Sequence, residues 1–259
     1  MLYNITSKTL RGVTLNYLLT ICYDGANYNG WQIQPNQKTV QGELESALKQ
    51  IFKTDIKTIA SGRTDTGVSA IGQTVNFMAD VKFGEYSLQG YLNTILPDDI
   101  RVQNVKIVKD DFNARFSAKK KTYAYNFYVS KINKPYLDKF ATRVPYKLDF
   151  LKLETELKSL IGEHDFTSLS SVDTQTVSKI REIYDVTLTQ NGEVYTVSFT
   201  GSGFLKNMIR VIMGTAFDIA RGKIKLSFKE ILDKQDRKFG GKTAAAVGLV
   251  LVNVDYGEI

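Results

Sequence analysis

Residues 61–70 read SGRTDTGVSA and set a guanidinium, a hydroxyl and a carboxylate, Arg63, Thr64 and Asp65, between Gly62 and Gly67. The two glycines give the backbone conformations closed to other residues, so the stretch can be a sharply shaped loop. Arg63 and Asp65 are two apart, close enough in such a loop to pair. An ionised carboxylate held by a cation can act as a base or a nucleophile. A turn stabilised by Asp65, with an exposed arginine beside it, fits the same spacing.

A second group lies in FNARFSAKKKTYAYNFY, residues 112–128. Arg115 and the run Lys119, Lys120, Lys121 precede Tyr123, Tyr125, Phe127 and Tyr128. On a strand, Tyr123, Tyr125 and Phe127 share one face. Cations beside aromatic rings suit a nucleic acid, because Lys and Arg meet phosphates while rings stack on splayed bases. A solvated lysine run next to a core strand is the other reading.

A third is GSGFLKNMIRVIMG, residues 201–214, in which Lys206 and Arg210 are four apart on an expected helix and so share a face. An arginine among Met208, Ile209, Val211 and Ile212 must be paired or must snorkel to solvent. It also reads as an ordinary helix-edge arginine.

The rest of the composition narrows the chemistry. The chain has one histidine, His164, and one cysteine, Cys22. Zinc sites and Ser-His-Asp arrangements therefore have almost nothing to be built from. His164 reads as a structural residue at a helix end, and Cys22 as a small buried strand residue. No disulfide can form within the chain, which fits a reducing cytoplasm. There is no phosphate-binding GxxxxGK[ST] loop, and GSG at 201–203 is a weak signal. There is no apolar run of about 18 or more residues, and the N-terminal MLYNITSKTLRG lacks a hydrophobic signal core. A net charge of +7 over 259 residues is compatible with a phosphate-bearing partner.

The elements that must position these groups follow from periodicity. A strand spans 15–23 and ends in DGANYNG. TVQGELESALKQIF places Val40, Leu44, Leu48, Ile51 and Phe52 on one helix face, with Thr39 as N-cap. Strands follow near 56–60 and at 72–80, then a helix over 86–96 stopped by Pro97, then a strand over 102–110. The second half repeats the grammar: a strand over 121–130, a helix from 148 ending at Gly162, a hairpin over 180–203 signalled by Asn191-Gly192, a long apolar helix over 204–222, a short one over 227–235 and a final strand over 247–256. This is an α+β chain, expected to form two related subdomains, 1–115 and 116–259, with antiparallel or mixed sheets and a cleft between them.

Together, YDGANYNGWQIQPNQKTVQGELESAL, SGRTDTGVSAIGQTVNF, ARFSAKKKTYAY, GSGFLKNMIRVIMG and AAAVGLVLVNVDY occur in the order and approximate spacing of the A-class tRNA pseudouridine synthases, and the chain resembles that family from about residue 15 to 256. The resemblance implies the pseudouridine synthase fold, two α+β halves flanking a central basic cleft, and a homodimer that isomerises uridines in the tRNA anticodon stem-loop, in the cytoplasm, without metal or organic cofactor. It implies that Asp65 is the catalytic carboxylate, that Arg63 pairs with it and helps displace the base, and that Tyr123 stacks on the target uracil. Arg210 falls on the arginine that salt-bridges the aspartate, and Leu249 on an apolar wall of the pocket. Arg115, Lys119, Lys120, Lys121 and Lys206 are the expected RNA contacts. A catalytically silent or retargeted RNA-binding paralogue, and a small-molecule enzyme on the same scaffold, are the alternatives. The usual GRTDAGVHA reads here with Thr66 and Ser69, the usual FHAR with Asn113, and a proline common before the last strand is absent.

Overall fold

The structure, a computed structural model, describes residues 13–173 and 176–258. The stretch 1–12, read above as lacking a signal core, lies outside them. The chain forms two compact units, Met1–Ala118 with Val254–Ile259, and Lys119–Asn253.

In the first unit, β1 (Thr14–Tyr23) is the centre of an antiparallel sheet, flanked by β3 (Ser69–Asp80) and β4 (Ile100–Val108), with the two-residue β2 (Ile59–Ala60) added to β3. The β1–β3 register breaks between Ile21 and Tyr23. Cys22 stands at this break and is half-buried, not the enclosed core residue the strand pattern suggests. Helix α1 (Val40–Phe52) starts as its sequence demands: the Thr39 hydroxyl accepts from the Gly42 N–H, a cap contributing about 1 kcal/mol. Val40, Leu44, Leu48 and Phe52 are buried along one stripe, and Ile51 only partly. Phe52 meets the rings of Tyr17 on β1 and Phe77 on β3, which joins helix to sheet in one aromatic core. Helix α2 (Glu85–Ile95) packs on β4 and ends before Pro97.

Two buried asparagines tie down the chain that leads to Arg115. The Asn16 amide donates to the carbonyls of Lys109 and Phe112, and Asn76 Oδ1 accepts from the Ala114 N–H at 2.8 Å. The Tyr256 hydroxyl donates to Ala114 O at 2.8 Å and accepts from Thr74 Oγ1 at 2.5 Å.

In the second unit, β5 (Lys120–Val129) runs antiparallel to β9 (Val194–Gly201) and parallel to the three-residue β6 (Thr142–Val144), so the sheet is mixed. β8 (Ile180–Asn191) pairs with β9, β7 (Gly162–Asp165) with β8, and the first residues of β10 (Leu249–Asp255) lie beside β5. The hairpin loop is Gly192–Glu193, one residue beyond the Asn-Gly pair that signals it, with Gly192 at φ +57°. Helix α3 (Phe150–Lys158) ends before Gly162, which opens β7; His164 therefore lies on a strand, not at a helix end.

Helix α4 (Met208–Ala220) is buried on nearly all sides, and Tyr125 and Phe127 on β5 lay their rings against its Phe217. It begins four residues later than the apolar pattern predicts. Asn207 adopts the left-handed conformation, φ +58°, and breaks the helix there. Helix α5 (Phe228–Lys234) carries a capping box between Ser227 and Glu230. Each unit is thus built of helices on a sheet, the α+β class expected from the sequence.

Candidate active site

Asp65 lies on the loop between β2 and β3, and that loop is held at nearly every residue. At its start, Ser61 Oγ donates to Gln73 Oε1 at 2.6 Å and the Gln73 amide donates to Gly62 O at 2.9 Å. In the middle, Thr64 O accepts from the Trp31 N–H at 3.1 Å, while Thr64 Oγ1 lies 2.8 Å from the Tyr23 hydroxyl, both buried. Past Asp65, the Val68 N–H closes a tight turn on Asp65 O at 3.1 Å, with Gly67 at φ +77°. Arg63, exposed, and Asp65, half-buried, flank the buried Thr64. A loop fixed before any ligand arrives can aim a carboxylate without an ordering cost on binding.

The clamp comes from the segment after β1. Gly25 and Gly30 do more there than turn the chain. A Cβ on Gly25 would come within 2.2 Å of Val68 O, and one on Gly30 within 2.6 Å of Thr64 O. Gly30 also sits at φ +81°. Both glycines let one backbone lie directly on the other, on either side of Asp65 in sequence. The Tyr28 hydroxyl donates to Asp99 in a short hydrogen bond and Asp24 N donates to Asp99 O at 3.0 Å, fixing the clamp to the start of β4. Burial pushes the Tyr23 and Tyr28 phenols well above their ordinary value, so both stay protonated donors at neutral pH.

Of the three residues that depart from the family pattern, Thr66 is exposed, and Ser69 and Asn113 have local partners. Ser69 Oγ accepts from the Gly25 N–H at 3.0 Å, another bond between loop and clamp. Asn113 Oδ1 accepts from the N–H groups of Arg115 and Phe116, shaping the turn that presents an exposed Arg115 over the Phe116 ring.

The other candidates belong to the second unit. Tyr123 on β5 is 8% exposed, its ring edge-on to Phe204 at 5.2 Å. Arg210 is the half-buried cation on α4: Nε donates to Ala244 O at 2.9 Å and Nη1 to Asn207 Oδ1 at 2.8 Å. These bonds satisfy an arginine set among apolar neighbours and fix its direction. Leu249 is buried at the start of β10. Lys119 and Lys120 are exposed and Lys121 half-buried, with Lys120 Nζ 5.5 Å from the centre of the Tyr184 ring. Lys206 precedes α4 and is bound to Asp173 at 2.5 Å, so the shared helix face expected for Lys206 and Arg210 does not exist. Among the described residues no group of three or more His, Cys, Asp or Glu side chains is placed to hold a metal ion, and no helix is long and apolar enough to cross a membrane.

The family model described as tRNA pseudouridine synthase matches residues 20–117 and 157–257. The tRNA pseudouridine synthase A of Caldicellulosiruptor saccharolyticus is 43% identical over 242 residues, 93% of this chain and 99% of that one. The chain belongs to the tRNA pseudouridine synthase family. Further relatives carrying the same name include that of Bacillus subtilis, 42% identical over 92% of this chain and 97% of its own length. Another is tRNA pseudouridine synthase A 1 of Bacillus cereus, 39% identical over 92% and 98%. Among solved structures, a chain of the archaeal box H/ACA sRNP Nop10-Cbf5 complex aligns at 12% identity and TM-score 0.35, over 78% of this chain and 42% of that one, a likeness too slight to decide anything.

As a member of this family the chain is an isomerase. The residues matched by the family model include Arg63, Asp65, Arg115, Lys206, Arg210 and Leu249, whereas Lys119, Lys120, Lys121 and Tyr123 fall between the two matched stretches. Sequence reading did not find Tyr23, Gln73 or the two clamping glycines. The signal available was the glycine spacing in YDGANYNG, which reads locally as nothing more than a turn.

Proposed function

We propose that this enzyme converts uridine to pseudouridine in the anticodon stem-loop of tRNA, with Asp65 as the catalytic carboxylate. The observation that supports this reading is the family match across a GRTD loop held rigid from both sides, with its aspartate half-buried.

The reaction breaks the bond from ribose C1′ to uracil N1, turns the base, joins C1′ to C5 and removes the C5 proton. A carboxylate serves as nucleophile or base in that sequence, and it must stay ionised to do so. Burial works against ionisation, and a neighbouring cation works for it. In this reading Arg210, aimed by its bonds to Ala244 O and Asn207, is the cation that keeps Asp65 charged. Arg63, exposed on the same loop, enters the space vacated by the displaced base. Tyr123 stacks on the loose uracil while it turns, and Leu249 supplies an apolar surface for the ring. Lifting the base from its helix costs a few kcal/mol, which contacts from the protein must offset. Arg115 and Lys119 to Lys121 supply phosphate contacts; Lys206 does so only if it leaves Asp173.

The enzyme is further proposed to act as a cytoplasmic homodimer, in line with the resemblance and with its single unpaired cysteine. The test of target choice is incubation of unmodified tRNA transcripts with the protein, followed by nucleotide-resolution mapping of pseudouridine. New pseudouridine confined to the anticodon arm is the expected result; modification confined to another arm rejects the assignment.

A further inference from the structure

A pocket of about 280 Å³ lies in the second unit, where β6, the C-terminal half of α4 and residues 242–244 meet. Four cations line it, Arg143, Arg221, Lys223 and Lys242, against one carboxylate, Asp218. That carboxylate is buried and already engaged: Arg221 donates to Oδ1 through Nε at 2.9 Å and Nη2 at 2.6 Å, and Lys223 Nζ donates to Oδ2 at 3.1 Å. Asp218 therefore organises two of the cations without presenting a free negative charge to a ligand.

The walls are built as well as charged. The Arg221 guanidinium lies over the Tyr146 ring at 4.2 Å, so stacking fixes its plane while Asp218 fixes one edge. Opposite, residues 241–244 lie flush on α4: a Cβ on Gly214 would fall 1.7 Å from Lys242 O, and Gly241 N donates to Thr215 Oγ1 at 2.8 Å. The same segment holds Arg210, through Ala244 N to Arg210 O and Arg210 Nε to Ala244 O, both at 2.9 Å. One face of this short strip orients a proposed active-site arginine while its other residues line the basic pocket. None of the four cations has a part in the proposed reaction.

We propose that this pocket binds a phosphate group, and that the group is a backbone phosphate of the tRNA outside the target nucleotide. A donor-rich cavity with its single acceptor charge neutralised takes an anion, and the volume admits a phosphate or phosphoribose unit and little more. Arg221 offers a planar guanidinium, and Lys223 and Lys242 mobile point charges, a combination suited to a phosphodiester. The choice of tRNA as source rests on the function proposed above; the phosphate chemistry does not.

The test compares the native chain with Lys242→Glu, Lys223→Glu and the milder Lys242→Gln, all at solvent-exposed head groups. Binding of full-length tRNA transcript is followed across a salt series, and binding of inorganic phosphate is measured separately by titration calorimetry. Each charge reversal is expected to weaken tRNA binding roughly threefold to tenfold and to lower the slope of log affinity on log salt by about 0.9 for every phosphate the variant no longer neutralises. Unchanged tRNA affinity and slope in both charge-reversed proteins overturn the tRNA assignment. If inorganic phosphate then still binds the native chain and not Lys242→Glu, the pocket serves a free anion; if it binds neither, the phosphate site itself is rejected. Absence of isomerisation by a native chain whose variants do show the lowered slope counts against the proposed reaction and not against the pocket.

Discussion

The Tyr23 hydroxyl lies 2.8 Å from the Thr64 hydroxyl, one residue before Asp65, and both are buried. Tyr23 is the last residue of β1, so this hydrogen bond links the central strand of the first sheet to the candidate catalytic loop. Tyr23→Phe leaves the Thr64 hydroxyl buried without this partner, which is expected to cost about 1–3 kcal/mol of folding stability. Loosening of the loop should lower kcat more than it raises KM. Thr64→Val removes the other half, and the double variant should lose less stability than the two single losses combined. Denaturant melts and steady-state kinetics on all three proteins check both statements.

The clamping glycines make a sharper case. Gly30→Ala puts a Cβ into Thr64 O and forces an alanine to φ +81°, so a loss of about 1–3 kcal/mol and a large fall in turnover are expected. Gly25→Ala, directed at Val68 O, should behave the same way. Gly90 on α2 meets nothing within 4 Å, and Gly90→Ala should stabilise the protein by about 0.5–1 kcal/mol with activity unchanged. Thermal melts and turnover on these three variants separate the clamp from a general intolerance of alanine.

Stability should fall in alkali. Burial raises Tyr23 and pushes Tyr125 and Tyr256 up to about 12; at Tyr125 the hydrogen bond with Thr142, and then the Arg210 charge, only partly oppose the rise. In the unfolded chain these phenols lose their protons near 10.0, the ordinary value. Between that pH and about 12 the unfolded state therefore binds fewer protons than the folded state, and stability declines as pH rises. The contribution is complete below pH 10. Equilibrium unfolding from pH 8 to 12 should show a plateau followed by this decline.

How far the sequence alone reaches depends on the range of the forces involved. Helix α1 was legible to the residue, from the Thr39 cap to Phe52, because capping and a 3.6-residue stripe are local signals. Strands β6 and β7 were not, since three or four residues carry no alternation and owe their state to their partners β5 and β8. Lys206 was misplaced because the apolar pattern runs unbroken through Asn207, whose left-handed backbone alone ends the helix. The chemistry-bearing residues of the loop, Arg63 and Asp65, stood out by type and spacing. What holds them did not: Gly25 meets Val68 and Ser69, and Gly30 and Tyr23 meet Thr64, across dozens of residues of chain, a separation that no local pattern records.

The lysine run has a test of its own. Lys119 and Lys120 are exposed, which suits phosphate contact and a solvated surface equally. Replacing Lys119, Lys120 and Lys121 together by glutamine should weaken tRNA binding and flatten its salt dependence by about 0.9 in slope for each phosphate left without its lysine. Unaltered affinity and slope would leave the run a solvated face.

The most direct test of the central claim is tritium release from tRNA labelled at uridine C5, measured for the native chain and for Asp65→Asn. The substitution keeps the size of the side chain and removes its charge, so folding and tRNA affinity should stay close to native. Release by the native chain, and none by Asp65→Asn, is the predicted result. Substantial release by Asp65→Asn would contradict the assignment of Asp65 as the catalyst.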